Sequence, residues 1–106
     1  MFARKLNLKL KPNAMPEFQR ALETNVLPLL RKQPGFKDEL TFMVPGGNEL
    51  FAISLWEKKE LMDIYVKETY PQVNKVLEKM MEGAPEVKTF EVATSTFHKI
   101  GVGATA

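Results

Sequence analysis

Gln33-Pro34-Gly35-Phe36 and Trp56-Glu57-Lys58-Lys59-Glu60 bracket the stretch whose reading decides the fold. The first phrase ends a helical stretch: proline brings no amide to a helix, glycine turns the chain, and Phe36 launches a strand. The second ends a strand and opens a helix whose first residues are acidic. Between them Pro45-Gly46-Gly47-Asn48 supplies the positive φ angles of a hairpin turn. Phe36 to Val44 alternates, with Leu40, Phe42 and Val44 on one side and Glu39, Thr41 and Met43 on the other; period two marks a strand with at least one buried face. Leu50 to Trp56 is apolar on both faces, Phe51, Ile53 and Leu55 opposing Leu50, Ala52, Ser54 and Trp56. A strand apolar on both faces is covered on both. The helices of so short a chain cover one face of a sheet, so a second copy of the chain is the expected cover for the other. Period two leaves open which face of Leu50 to Trp56 meets the helices.

Outward toward the N-terminus, Phe2 to Lys11 alternates as well, with Phe2, Arg4, Leu6, Leu8 and Leu10 opposite Ala3, Lys5, Asn7, Lys9 and Lys11. Pro12-Asn13 breaks this strand, and Asn13 is placed to cap a helix that carries Pro16 in its first turn. Met15, Phe18, Leu22, Val26 and Leu29 then form one apolar stripe. Pro28 removes the amide bond to the carbonyl of Thr24 and predicts a kink or an early stop. Toward the C-terminus, Lys58 to Glu82 has helical period, with Leu61, Tyr65, Val73, Val76, Leu77 and Met80 on the buried stripe and Tyr70-Pro71 dividing it. Gly83-Ala84-Pro85 stops it. Val87 to Ile100 is rich in β-branched and aromatic residues and predicts a last, bulged strand. The expectation is an α+β chain, a ferredoxin-like βαββαβ sandwich. It has a four-stranded antiparallel sheet with two helices on one face, in a single domain over residues 1–100, followed by a flexible tail at 101–106.

The bulk composition narrows the function classes. A chain of 106 residues holds one domain, and 44% hydrophobic with 26% charged residues is ordinary for a soluble globular chain. With no cysteine there are no disulfides or thiolate metal sites, which fits a reducing compartment. One histidine leaves no cluster for zinc or non-haem iron. The first residues lack the apolar run of a secretory signal, and no stretch is long enough to span a membrane, so a cytoplasmic location without a membrane partner is expected. A net charge of +2 without a clustered basic face argues against nucleic acid.

Pro34-Gly35-Phe36 after the first helix, and Trp56-Glu57 at a strand end leading into an acidic helix start, resemble the antibiotic biosynthesis monooxygenase family of the dimeric α+β barrel superfamily. The likeness in element order runs from Met1 to about Ile100. It implies a homodimer in which two four-stranded sheets pair into a dimeric α+β barrel. It also implies enzymes with no metal, flavin or other cofactor of their own, which oxygenate electron-rich polyphenols or degrade haem as a substrate. An apolar pocket that holds a flat aromatic molecule, and polar groups that stabilise its deprotonated form, are what such chemistry needs. Haem-degrading members use an Asn on the first strand, a Trp early in the second helix and a His one helical stretch later. Counted from Trp56-Glu57, these fall on Leu6 (Asn7 is adjacent, on the opposite face), Tyr65 and Lys75. A protonated lysine cannot ligate iron, so haem degradation is not expected. Oxygenation of a small aromatic molecule of quinol or polyphenol type remains, with Trp56, Tyr65 and Tyr70 as candidate pocket donors.

Each candidate also has a plainer role. Trp56 closes a buried strand and serves a core as well as a pocket. Tyr65 lies on the apolar stripe, where a buried hydroxyl still needs a partner. Tyr70 can pack at the Pro71 kink. Asn7 reads as a solvated or dimer-facing amide, and His98 as structural for want of a nearby carboxylate or serine in the motif. Glu39 and Glu91 become general bases only if desolvated. Met62, Met80 and Met81 read as core filler, and the lysines from Lys58 to Lys75 as a solvated face interleaved with glutamates. Two further functions compete with the enzyme. One is a non-catalytic small-ligand-binding or accessory homodimer of the same fold. The other is an RNA-recognition domain, against which Asn48 to Trp56 offers no basic residue and is flanked by Glu49 and Glu57.

Overall fold

The two phrases that bracket the central stretch meet in space. The Glu57 amide donates to the Gly35 carbonyl at 2.7 Å, and Phe36 lies opposite Trp56 in register with the rings edge-on at 5.6 Å. Gly35 holds φ at +82°, and a β-carbon there would stand 2.5 Å from Leu61 Cδ1 and 2.9 Å from Leu61 Cβ. Only glycine fits both the turn and the approach of the second helical unit.

The computed structural model describes residues 1–100. Strand β1 (Phe2–Lys9) leads to helix α1 (Met15–Ala21), a π-helical turn (Leu22–Val26) and helix α2 (Leu27–Arg31). Strands β2 (Phe36–Met43) and β3 (Glu49–Trp56) form the hairpin, with Gly46 at φ +72° in its turn. Helices α3 (Lys59–Glu68) and α4 (Tyr70–Leu77) meet at Thr69, where Pro71 falls in the first turn of α4, and strand β4 (Glu86–Glu91) ends the sheet. The strand order is β2-β3-β1-β4, every pair antiparallel, with the helices on one face. This is the α+β ferredoxin-like sandwich that the sequence predicts. Leu8, Phe18, Val26, Leu50, Trp56, Val73 and Leu77 form the core between the layers.

Three local expectations are corrected. Asn13 does not cap α1. It takes φ +62° in a turn closed by the Ala14 amide on the Lys11 carbonyl, and Ala14 precedes the helix with no side-chain cap; asparagine tolerates that left-handed geometry. Pro28 does not stop the helical run, and the irregularity falls just before it. The π-helical turn before it carries the Leu27 amide back to the Leu22 carbonyl, and Pro28 falls in the first turn of α2, where a missing amide costs little. The extra residue in that turn shifts the buried stripe from Leu29 to Leu30. The last strand ends at Glu91 rather than Ile100. Its partner β1 begins at Phe2, the Val92 amide already bonds Met1, and Ser95 Oγ then accepts the Phe97 and His98 amides and turns the chain. The expected tail at 101–106 lies outside the described residues.

The face of the sheet away from the helices is apolar in part, and the helix side carries polar residues beside the core. A bulge between Phe36 and Asp38 puts Phe36 on the helix side together with Glu39 and Thr41. Leu40 and Phe42 face away from the helices, 45% and 44% exposed, and Phe90 does so from β4 at 45%. Phe42 stacks on Phe51 at 4.8 Å and Lys5 Nζ lies 4.5 Å over the Phe51 ring, both on this bare face.

Candidate functional site

A row of polar residues crosses the helix side of the sheet. Thr89 lies opposite Arg4, Arg4 opposite Ser54, and Ser54 opposite Glu39, one residue from each strand. Period two puts these on the side where the core packs, so their polar atoms need partners or a polar ligand. Arg4, Ser54 and Glu39 line a narrow cavity of ≈ 40 Å³ between the layers, with Tyr65 from α3, Tyr70 from α4 and apolar walls that include Leu6, Phe18, Leu22 and Val73.

Tyr65 is buried, and stacked on Trp56 at 4.8 Å between ring centres, with Tyr70 edge-on to it at 6.3 Å. Burial pushes the Tyr65 phenol up to about 12; the Arg4 charge opposes this, while Tyr70 and Glu39 add to it. The phenol therefore stays protonated at neutral pH and acts as a donor. Burial also raises the Glu39 carboxyl above the usual carboxylate range, against the hydrogen bond that Thr41 Oγ1 donates to it at 2.6 Å. A carboxyl moved toward neutrality is a better proton acceptor when ionised. Arg4 is only 5% exposed and its Cζ lies 4.1 Å from the centre of the Tyr70 ring, a cation–π contact.

The sequence candidates thus come together, with different postures. Tyr65 and Tyr70 line the cavity, and the Tyr70 hydroxyl donates to Asn74 Oδ1 at 3.4 Å. Trp56 lies behind Tyr65, fully buried, with its indole N–H donating to Ser54 Oγ at 2.8 Å, so it orients two cavity residues and is not itself a cavity wall. Trp56 and Ser54 point toward the helices, which resolves the face that periodicity leaves open. Asn7 is exposed on the opposite face, Glu91 is exposed at the end of β4, and His98 bonds the Asp38 side chain outside the cavity. Lys75 is exposed and does not reach the cavity.

Sequence reasoning missed Arg4 and Ser54. The signal was a permanent cation on the apolar stripe of the first strand and a hydroxyl on an apolar face of the third. Larger surface clefts, one of ≈ 540 Å³ near Asn7, Glu49 and Glu86 and one of ≈ 780 Å³ beside the hairpin turn, contain no buried polar group. Among the described residues no group of His, Cys, Asp or Glu side chains is arranged to hold a metal ion, and no helix is long and apolar enough to cross a membrane.

The fold is that of solved structures described as antibiotic biosynthesis monooxygenases, from Bordetella bronchiseptica and Nitrosomonas europaea, each with a TM-score of 0.74. One similar structure is a monooxygenase from the gene ActVA-Orf6 of Streptomyces coelicolor in complex with nanaomycin D. It superposes with a TM-score of 0.76 at 13% identity, over 89% of this chain and 88% of that one. SnoaB, a cofactor-independent oxygenase from Streptomyces nogalater, gives 0.74 at 13% identity over 90% and 95%. MhuD, a haem degrader from Mycobacterium tuberculosis with two haems in its active site, gives 0.74 at 16% over 91% and 99%. Identities this low carry the fold. No protein-family model matches the sequence, and no curated protein matches it.

Proposed function

We propose that this chain is a cofactor-independent monooxygenase that oxidises a small electron-rich aromatic molecule of quinol or polyphenol type. The observation that carries the reading is the pair of groups on one cavity, the half-buried Glu39 carboxyl and the Tyr65 hydroxyl, which has no acceptor among the described residues. Glu39 takes the acidic C–H or O–H proton of the substrate, and Tyr65 donates to the oxygen on which negative charge develops. The substrate anion gives its electrons to dioxygen, a C–O bond forms, and the resulting hydroperoxide loses water as a carbonyl appears. For an anthrone, one methylene and one dioxygen become one carbonyl and one water, so no outside reductant enters. The fold supports this reading, since a solved example of it is a cofactor-independent oxygenase.

The haem reading has less support: no imidazole reaches the cavity, and the positions where haem degraders place His and Trp hold Lys75 and Tyr65. A non-catalytic ligand-binding homodimer is the alternative. The cavity of ≈ 40 Å³ is far below the ~300 Å³ of an ordinary small-molecule site, so in either reading an aromatic ligand has to part the helices from the sheet. The active assembly in either case is a homodimer through the bare face that carries Leu40, Phe42, Phe51 and Phe90, and the absence of cysteine accords with the cytoplasm.

Oxygen uptake with a panel of hydroquinones and anthrones separates the two readings. The enzyme consumes oxygen above the uncatalysed rate, and Glu39→Gln and Tyr65→Phe each lower kcat by roughly 100-fold. Trp56→Phe, which frees Ser54 but keeps a ring behind Tyr65, lowers it less. Uptake at the uncatalysed rate with every substrate supports the binder.

A further inference from the structure

Arg4 is the one charged side chain buried among the described residues. Apart from the Tyr70 ring, nothing there engages its guanidinium: no carboxylate comes within ion-pair distance, and no side-chain or carbonyl oxygen accepts a hydrogen bond from it. None of its nitrogens is sealed off without a partner, and the side chain lines the cavity. The oxygenation chemistry above uses Glu39 and Tyr65 and leaves this cation unassigned. Glu39 lies two strands away, roughly 10 Å at ordinary strand spacing.

We infer that Arg4 seats a carboxylate carried by the ligand, so that the cavity binds an aromatic acid more tightly than its neutral counterpart. The aromatic part rests on the oxygenase reading; the acid part rests on Arg4. A buried cation without a counter-charge is costly, and an anion that supplies one gains more than it would in water. The guanidinium fork matches the two oxygens of a carboxylate, and the Tyr70 ring holds the fork from one side. The free space, ≈ 40 Å³, is far below the ~300 Å³ of an ordinary small-molecule site, so the acid head lies beside Arg4 while the ring has to part the apolar walls. Glu39, on a strand two removed from β1 and outside ion-pair distance of Arg4, is left to act on the other end of the molecule.

Titration of the protein with 2-naphthoate and with methyl 2-naphthoate at pH 7, followed by calorimetry, tests this. The acid binds at least about tenfold tighter than the ester, as loss of a charge-assisted hydrogen bond implies. Arg4→Gln abolishes the preference and Glu39→Gln preserves or enlarges it. Equal affinities, a preference that survives Arg4→Gln, or no binding of either probe overturns the inference. If Arg4→Gln does not fold, Arg4→Lys, which keeps the charge without the fork, takes its place and shows a smaller preference. An acid preference without oxygen uptake removes the oxygenase reading and leaves this site standing; uptake with neutral anthrones and no acid preference does the reverse.

Discussion

Burial holds the Glu39 carboxyl above its ordinary value of 4.5, and the Thr41 hydrogen bond lowers it by less. A carboxyl whose proton is held more tightly in the folded state stabilises that state fully below about 4.5. The contribution is lost as the pH rises through the raised folded value. Wild type therefore loses more stability between pH 4 and pH 7 than Glu39→Gln, which keeps the shape and has no proton to lose. Urea midpoints across that range check this, and parallel profiles contradict it. Tyr65 stood out in the sequence as a hydroxyl on an apolar helical stripe that needs a partner, and Tyr70 only as an aromatic at the Pro71 kink. Arg4 stood in plain view on an apolar stripe, yet a long side chain at a strand end also snorkels to water, and only the packing of Tyr70 over it and its burial show that it does not. Glu39 was hidden for another reason: alternation named its face but not which face of β2 the helices cover.

The junction of elements at Gly35 holds the two halves of the chain together. Gly35→Ala meets a positive φ and the Leu61 side chain at once, and lowers stability by about 2–4 kcal/mol. Gly46→Ala meets a positive φ with nothing within 4 Å, and costs only about 1–2 kcal/mol. Chemical denaturation of the two variants compares them, and equal losses would show that the contact with Leu61 carries no weight. Strands, hairpin and the Tyr70-Pro71 division followed from period and from Pro and Gly placement. What did not follow depended on partners distant in sequence. The β-rich run after Glu91 lacks a strand to pair with once β1 is used up at Phe2. Pro28 is absorbed by a π-helical turn that no local pattern of Leu22 to Val26 announces.

At the scale of the molecule, both faces of the sheet are apolar in part. The helix side packs Leu8, Leu50 and Trp56 into the core and sets Arg4, Ser54 and Glu39 on a cavity, while the bare side carries Leu40, Phe42, Phe51, Ile53 and Phe90. All six residues of β4 are exposed, including Val87 at 48% on the helix side, so the last strand is bare on both faces. Contiguous exposed apolar surface on a sheet marks an interface, and a second copy of the same sheet is the self-complementary cover we propose for it. Sedimentation equilibrium at about 10 µM chain is the most direct test. Wild type has twice the mass of one chain, and the double variant Leu40→Lys, Phe42→Lys has the mass of one. A folded wild type that sediments as a single chain, its aromatic face in water, contradicts the account.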